Sequence, residues 1–117
     1  MAGSIPERDW KYMKKIKDEL IARLCERINK ESVAILNEDI SSENEKYFKQ
    51  YKHVQDSDSI IANCFDDWRR STLLTKLITL QHHKLISKEH IGQLSEETNQ
   101  KLKAFMEMQG KNKKPNH

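Results

Sequence analysis

The sequence predicts an all-α protein: long amphipathic helices forming a small helical bundle that dimerises through its long helix. Three observations carry this. No glycine or proline occurs between Pro6 and Gly92, and a sheet of short strands would need such turn formers. Apolar residues recur through that stretch at three- and four-residue steps, the period of a single helix face. The chain is 33% charged and 36% apolar, a balance that suits helices with one buried stripe and one solvated face.

The first helix is expected over about residues 7–37. Pro6 suits a helix start, and Trp10, Met13, Ile16, Leu20, Leu24 and Ile28 keep helical spacing. The turn falls on residues 37–42. Ser42 with Glu45 three residues later forms a capping box for the next element. From Glu43 to about residue 83, Tyr47, Tyr51, Val54, Ile61, Phe65, Trp68 and Thr72 continue the pattern. The weak point is Gln55-Asp56-Ser57-Asp58-Ser59, where Asp and Ser compete for backbone hydrogen bonds. An unbroken helix here would be about 60 Å long, more than a monomer of this size covers, and would imply a dimer. Two shorter helices follow, capped by Ser87 and Ser95, the second ended by Gly110. The expected organisation is a leader over 1–6, a single helical domain over 7–109 and a disordered basic tail over 110–117.

Composition excludes several classes. No apolar run approaches the ~20 residues of a membrane span, and residues 1–20 lack the apolar core of a secretory signal. Cys25 and Cys64 form no CxxC and read as reduced thiols of a cytoplasmic protein. The net charge of +3 is unevenly placed. Residues 99–117 carry five lysines against Glu107, while residues 1–98 hold 16 basic and 17 acidic side chains. The basicity belongs to the C-terminal segment, not to the body, which does not favour a dedicated nucleic-acid binder.

No catalytic, metal or cofactor site is expected. His82 and His83 are adjacent and diverge by about 100° on a helix. Asp56 and Asp58 lack the glycine and distal Glu of a calcium loop. There is no GxSxG and no phosphate-cradling glycine loop. Two clusters remain as interaction candidates. Tyr47 and Tyr51, with Phe48 and interleaved Lys46, Lys49 and Lys52, are either an amphipathic packing face or a binding stripe. The run Phe65-Asp66-Asp67-Trp68-Arg69-Arg70-Ser71 is expected on a helix. There Asp66 would reach Arg69 and Arg70, and Asp67 would reach Arg70, as a charge ladder. Trp68 with Arg69 and Arg70 could equally anchor an interface, since Trp and Arg are enriched at hot spots.

From Phe65 onward the chain resembles the fluorescence recovery protein family. The matching stretches are Phe65 to Ser71, the apolar helix Leu73 to Leu80, Leu85-Ile86-Ser87-Lys88-Glu89-His90-Ile91, Leu94-Ser95-Glu96-Glu97 and Lys101-Leu102. Trp10 falls where the family's first helix carries a tryptophan. The resemblance implies an all-helical antiparallel homodimer that regulates a protein partner without covalent chemistry. Cyanobacterial members act on the orange carotenoid protein. The family's dimer-helix Trp and nearby Asp and Arg fall near Phe48 and Lys52, where this chain has no match. The expectation is therefore a bacterial, cytoplasmic, non-catalytic homodimer with another protein partner and no membrane partner. The alternative is a nucleic-acid-associated protein using the basic first helix and the lysine-rich tail.

Overall fold

The structure, a computed structural model, describes residues 4–112, with side chains described over 4–108. It is all-α, with no strand among the described residues. The helices are α1 (Glu7–Leu36), α2 (Glu43–Phe65), α3 (Leu73–His82), α4 (Lys88–Gly92) and α5 (Glu96–Asn112). A single 3-10 turn, Arg70–Thr72, precedes α3. The chain divides into two compact units, residues 1–17 with 67–117, and residues 18–66. Helix α1 contributes its first turns to one and the remainder to the other.

The α1 boundaries follow the expected span. The capping box at α2 is present: Ser42 Oγ accepts from the Glu45 amide at 3.2 Å, and the Ser42 amide donates to the Glu45 carboxylate at 3.0 Å. That backbone donor holds the Glu45 carboxyl below its ordinary range. A group with a depressed folded pKa contributes stability above its unfolded value and loses it as pH falls through the folded one. Glu45→Gln is therefore expected to be less stable than wild type at neutral pH and to converge with it at about pH 3. Paired urea melts at the two pH values check this. Equal stability at neutral pH would discount the capping carboxylate.

The Asp/Ser segment 55–59 does not break α2. Its competing side chains are absorbed within the helix. Asp56 pairs with Lys52 one turn back at 3.2 Å, Ser59 Oγ donates to the Gln55 carbonyl at 3.5 Å, and Ser57 is buried. The break comes instead at Asp66–Arg69, inside the run expected to be helical. Asp66 is extended (φ −70°, ψ 154°) and Asp67 is left-handed (φ 57°). Asp is among the few non-glycine residues that tolerate this region. Thr72 stabilises the reversal: its hydroxyl donates to the Asp67 carbonyl at 2.6 Å and accepts from the Arg69 amide at 3.1 Å.

In the first unit, α3 packs on α5. Leu73, Leu74, Leu77 and Leu80 are buried, with Ile5, Met13, Ile16, Leu85, Ile86, Leu94 and Leu102 completing the apolar core. Full burial of each such side chain contributes about 1.5–3 kcal/mol. Helix α3 ends in a Schellman motif. The Leu85 amide donates to the Leu80 carbonyl at 2.9 Å and the Lys84 amide to the Gln81 carbonyl at 3.0 Å. Lys84 takes the left-handed position (φ 57°) that glycine usually fills. Relieving that strain outweighs the entropy glycine adds to the unfolded chain. Lys84→Gly is thus expected to stabilise by about 0.5 kcal/mol, read as a small rise in thermal midpoint. A fall would show that the lysine side chain contributes more than its backbone costs.

Ser87 caps α4, accepting from the His90 amide at 3.2 Å. His90 Nδ1 accepts from the Ser87 amide at 3.0 Å, which assigns the ring proton to Nε2. Ser95 caps α5 as expected, accepting from the Thr98 amide. Gly110 does not end that helix, which continues to Asn112. The remainder of the expected tail, 113–117, lies outside the described residues.

The second unit is a helical hairpin of α1 and α2. Its pairings run antiparallel. His53 Nε2 lies 3.1 Å from the Ile28 carbonyl, Gln50 Nε2 donates to Ser32 Oγ at 3.0 Å, and Lys49 pairs with Glu38 at 2.8 Å. Lys49 and Ser41 hold the Glu38 carboxyl below its ordinary range. The buried apolar residues of this unit, Leu20, Leu24, Cys64 and Phe65, lie away from the turn.

Candidate interaction surfaces

The hairpin has its polarity reversed near the turn. Between Cys25 and Asp56 no residue is fully buried. The hydrogen bonds and ion pair between the two helices there involve Ser32, Gln50, His53, Glu38 and Lys49. Several large apolar side chains are exposed, Tyr47, Phe48 and Tyr51 by 62%, 64% and 54%, with Val33, Leu36 and Val54 also exposed, while Ile28 and Ile35 are half-buried. Tyr47 stacks on Tyr51 at 6.4 Å and meets Phe48 edge-on at 5.3 Å. The aromatics are thus held as one cluster by the i, i+4 spacing of α2. Their contiguity makes them a candidate interaction surface rather than scattered surface residues.

The second candidate cluster differs from its expected form. Because the chain reverses at Asp66 and Asp67, there is no helical ladder. Asp67 instead pairs with Arg69 two residues on, at 2.6 Å. The guanidinium holds the Asp67 carboxyl below its ordinary range. Arg70 turns the other way and donates through Nε to the Ile5 carbonyl at 2.7 Å. Trp68 is half-buried, with Lys17 Nζ 5.3 Å from its ring centroid, a cation–π distance. Arg70 is therefore a structural strap for the chain's first described residues, aided by Lys101, which donates to the Ser4 carbonyl at 3.0 Å. Asp66 is exposed at the end of α2, with its amide donating to the Ala62 carbonyl. Asp67 and Arg69 remain on the surface as an exposed pair.

Asp9 was not legible as a key residue in the sequence. It is fully buried in the first unit. Its carboxylate accepts from the Ser95 amide at 2.9 Å, from Ser95 Oγ at 2.6 Å and from Thr98 Oγ1. One side chain from the first turn of α1 thereby satisfies the Ser95 amide and both hydroxyls at the start of α5. With three donors from residues 95 and 98 on its two oxygens, Asp9 ties the start of α1 to the start of α5. The only sequence signal was an acid in the first turn of a helix, which helix-dipole reasoning explains without any distant partner.

The basic residues of α1 are largely matched. Lys11 pairs with Glu7, Arg23 with Glu19 and Lys30 with Glu26, each one turn apart. Lys14 lies 5.2 Å from the Trp10 ring centroid. This is a solvated charge pattern rather than a stripe of cations facing a phosphate backbone. Among the described residues no group of His, Cys, Asp and Glu could hold a metal ion. No disulfide joins Cys25 to Cys64. Among the described residues no helix is long and apolar enough to cross a membrane. No protein-family model, curated protein or solved structure matches the chain.

Proposed function

We propose that this chain is a non-catalytic regulatory module that works as a homodimer and binds a protein partner. The observation that carries this is the reversed hairpin. A pair of helices that turns Ser32, Gln50 and His53 toward each other and Tyr47, Phe48 and Tyr51 outward leaves its apolar face for another surface. A second copy is the simplest occupant, because one patch then serves both sides of a two-fold interface. The family resemblance adds regulation of a partner protein, in a bacterial cytoplasm, by contact alone.

The surface around Trp68, Asp67 and Arg69 is the proposed partner site. It lies in the other unit, so dimer formation and partner binding use separate residues. The orange carotenoid protein is not the proposed partner, since the matching positions on the dimer helix differ. Light scattering after size exclusion tests the first half: a dimer is expected, and a concentration-independent monomer overturns it. Affinity capture from the native host with wild type and Trp68→Ala tests the second. Loss of one specific protein with the variant supports the reading, and an unchanged profile removes Trp68 from the partner site.

A further inference from the structure

Folding sorts charges that the sequence interleaves. Residues 4–17 and 67–108, which carry the described side chains of the first unit, hold 12 basic and 7 acidic groups. The hairpin unit, residues 18–66, holds 6 and 11. A body that is near neutral along the chain is thus a cationic unit joined to an anionic one. Helix α1 hides this in the sequence, because its basic first turns belong to one unit and its remainder to the other.

Part of that cationic excess has no carboxylate to meet. Trp10, Lys14 and Lys17 fall within an arc of about 60° on α1. Lys14 Nζ lies 5.2 Å from the Trp10 ring centroid and Lys17 Nζ 5.3 Å from that of Trp68. Both indoles are half-buried. Among the described residues neither ammonium has a carboxylate within ion-pair distance. Arg70, two residues after Trp68, donates to the neutral carbonyl of Ile5, which leaves its charge uncancelled. The acids of this stretch are engaged elsewhere. Asp9 is buried against Ser95 and Thr98, Glu7 pairs with Lys11 and Asp67 with Arg69. Asp18 and Asp66 belong to the hairpin unit and pair with neither lysine.

We propose that Trp10, Lys14, Lys17, Trp68 and Arg70 bind an acidic segment of the partner protein. Its carboxylates meet Lys14, Lys17 and Arg70, and its apolar side chains meet the indole edges. This rests on the partner site around Trp68 proposed above and names the chemistry that site takes. An ammonium held over an indole is already placed, so a carboxylate that pairs with it orders little more of the lysine stem. Nucleic acid fits less well. Bases stack on open aromatic faces along a row of cations, whereas here each indole already carries an ammonium group.

Intrinsic fluorescence reads the site directly, because Trp10 and Trp68 are the chain's two tryptophans. The full chain is titrated with oligoglutamate, oligoglutamine and oligothymidylate of equal length. Oligoglutamate is expected to change the emission saturably, and its binding to weaken severalfold between low and physiological salt, as screening requires. Oligoglutamine should leave the emission unchanged. Lys14→Gln/Lys17→Gln should bind oligoglutamate roughly tenfold more weakly at an unchanged melting temperature, since two surface pairs are lost. Lys30→Gln, on the hairpin unit where Glu26 neutralises the lysine, should bind as wild type does. No response to oligoglutamate, an equal response to oligoglutamine, undiminished binding by the double variant, an equal loss with Lys30→Gln, or tighter binding of oligothymidylate would each overturn the proposal. If capture from the host still depends on Trp68 in that event, the partner site stands and only its acidic occupant falls.

Discussion

Asp9→Ala is expected to destabilise the fold by roughly 3–4 kcal/mol, although the substitution touches no surface. The carboxylate is fully buried and accepts from the Ser95 amide, the Ser95 hydroxyl and the Thr98 hydroxyl. Hydrogen bonds to a charged group contribute about 1.5–3 kcal/mol each, and a buried donor left unmade costs about 1–3. The two hydroxyls can partly re-pair, since Ser95 Oγ lies 3.3 Å from Thr98 Oγ1. The backbone amide of Ser95 cannot turn away, so its loss sets the floor. Against a total of about 5–15 kcal/mol for an ordinary domain, this is a large fraction.

Asp9→Asn separates charge from shape. It keeps one acceptor but turns an amide NH₂ toward groups that are themselves donors, and should cost about 2 kcal/mol. Thr98→Val removes one donor and should cost about 1 kcal/mol. The double variant Asp9→Asn/Thr98→Val should cost less than the two together, because the partners share one interaction. Urea denaturation followed by far-UV circular dichroism gives all four values. A loss under 1 kcal/mol for Asp9→Ala would show that the tether is not needed to hold α5 to α1.

The elements were legible where local rules act alone, and the connections where distant residues meet were not. The Ser42–Glu45 box, the Ser87 cap and the end of α1 depend on residues three or four apart, and each lies where spacing placed it. The break after α2 is harder. Residues 55–59 and 65–71 are both rich in Asp, and spacing marked only the first as a weak point. In one, Asp56 finds Lys52 and the helix persists. In the other, Asp67 takes a left-handed conformation that Thr72 locks from five residues away. The proposed interaction run is therefore a corner rather than a ladder, and its four charges part company. Arg70 faces the backbone of Ile5, while Asp67 and Arg69 pair on the surface. Asp9 marks the limit of such reading, because its partners lie more than 80 residues away. The aromatic face was visible as Tyr47 and Tyr51, but not its direction. Helical spacing alone could not say that Gln50 and His53 would take the inner face.

That direction leads to the second large effect. Tyr47→Ser/Tyr51→Ser is expected to weaken self-association at least 100-fold without lowering the stability of the monomer. Each aromatic side chain offers about 150–250 Å², and Tyr47, Phe48 and Tyr51 are each more than half exposed. Together they present roughly 300–400 Å² of apolar surface per protomer. Val33, Leu36 and Val54 enlarge the same unit's exposed apolar area, toward the ~800 Å² per partner of a standard interface. A two-fold interface uses every residue twice, so the double substitution removes four aromatic anchors. At about 1 kcal/mol for each truncated anchor, the loss approaches a thousandfold in Kd. Sedimentation equilibrium over a range of concentrations reads it directly. Lys52→Ser in the same helix provides the control, because that exposed lysine pairs within α2 with Asp56 and exposed pairs contribute little. Should the lysine variant dissociate as readily as the tyrosine variant, the hairpin associates by charge rather than through its outward aromatics. Should neither dissociate, the dimer lies elsewhere, and the reversed polarity of the hairpin serves a different protein.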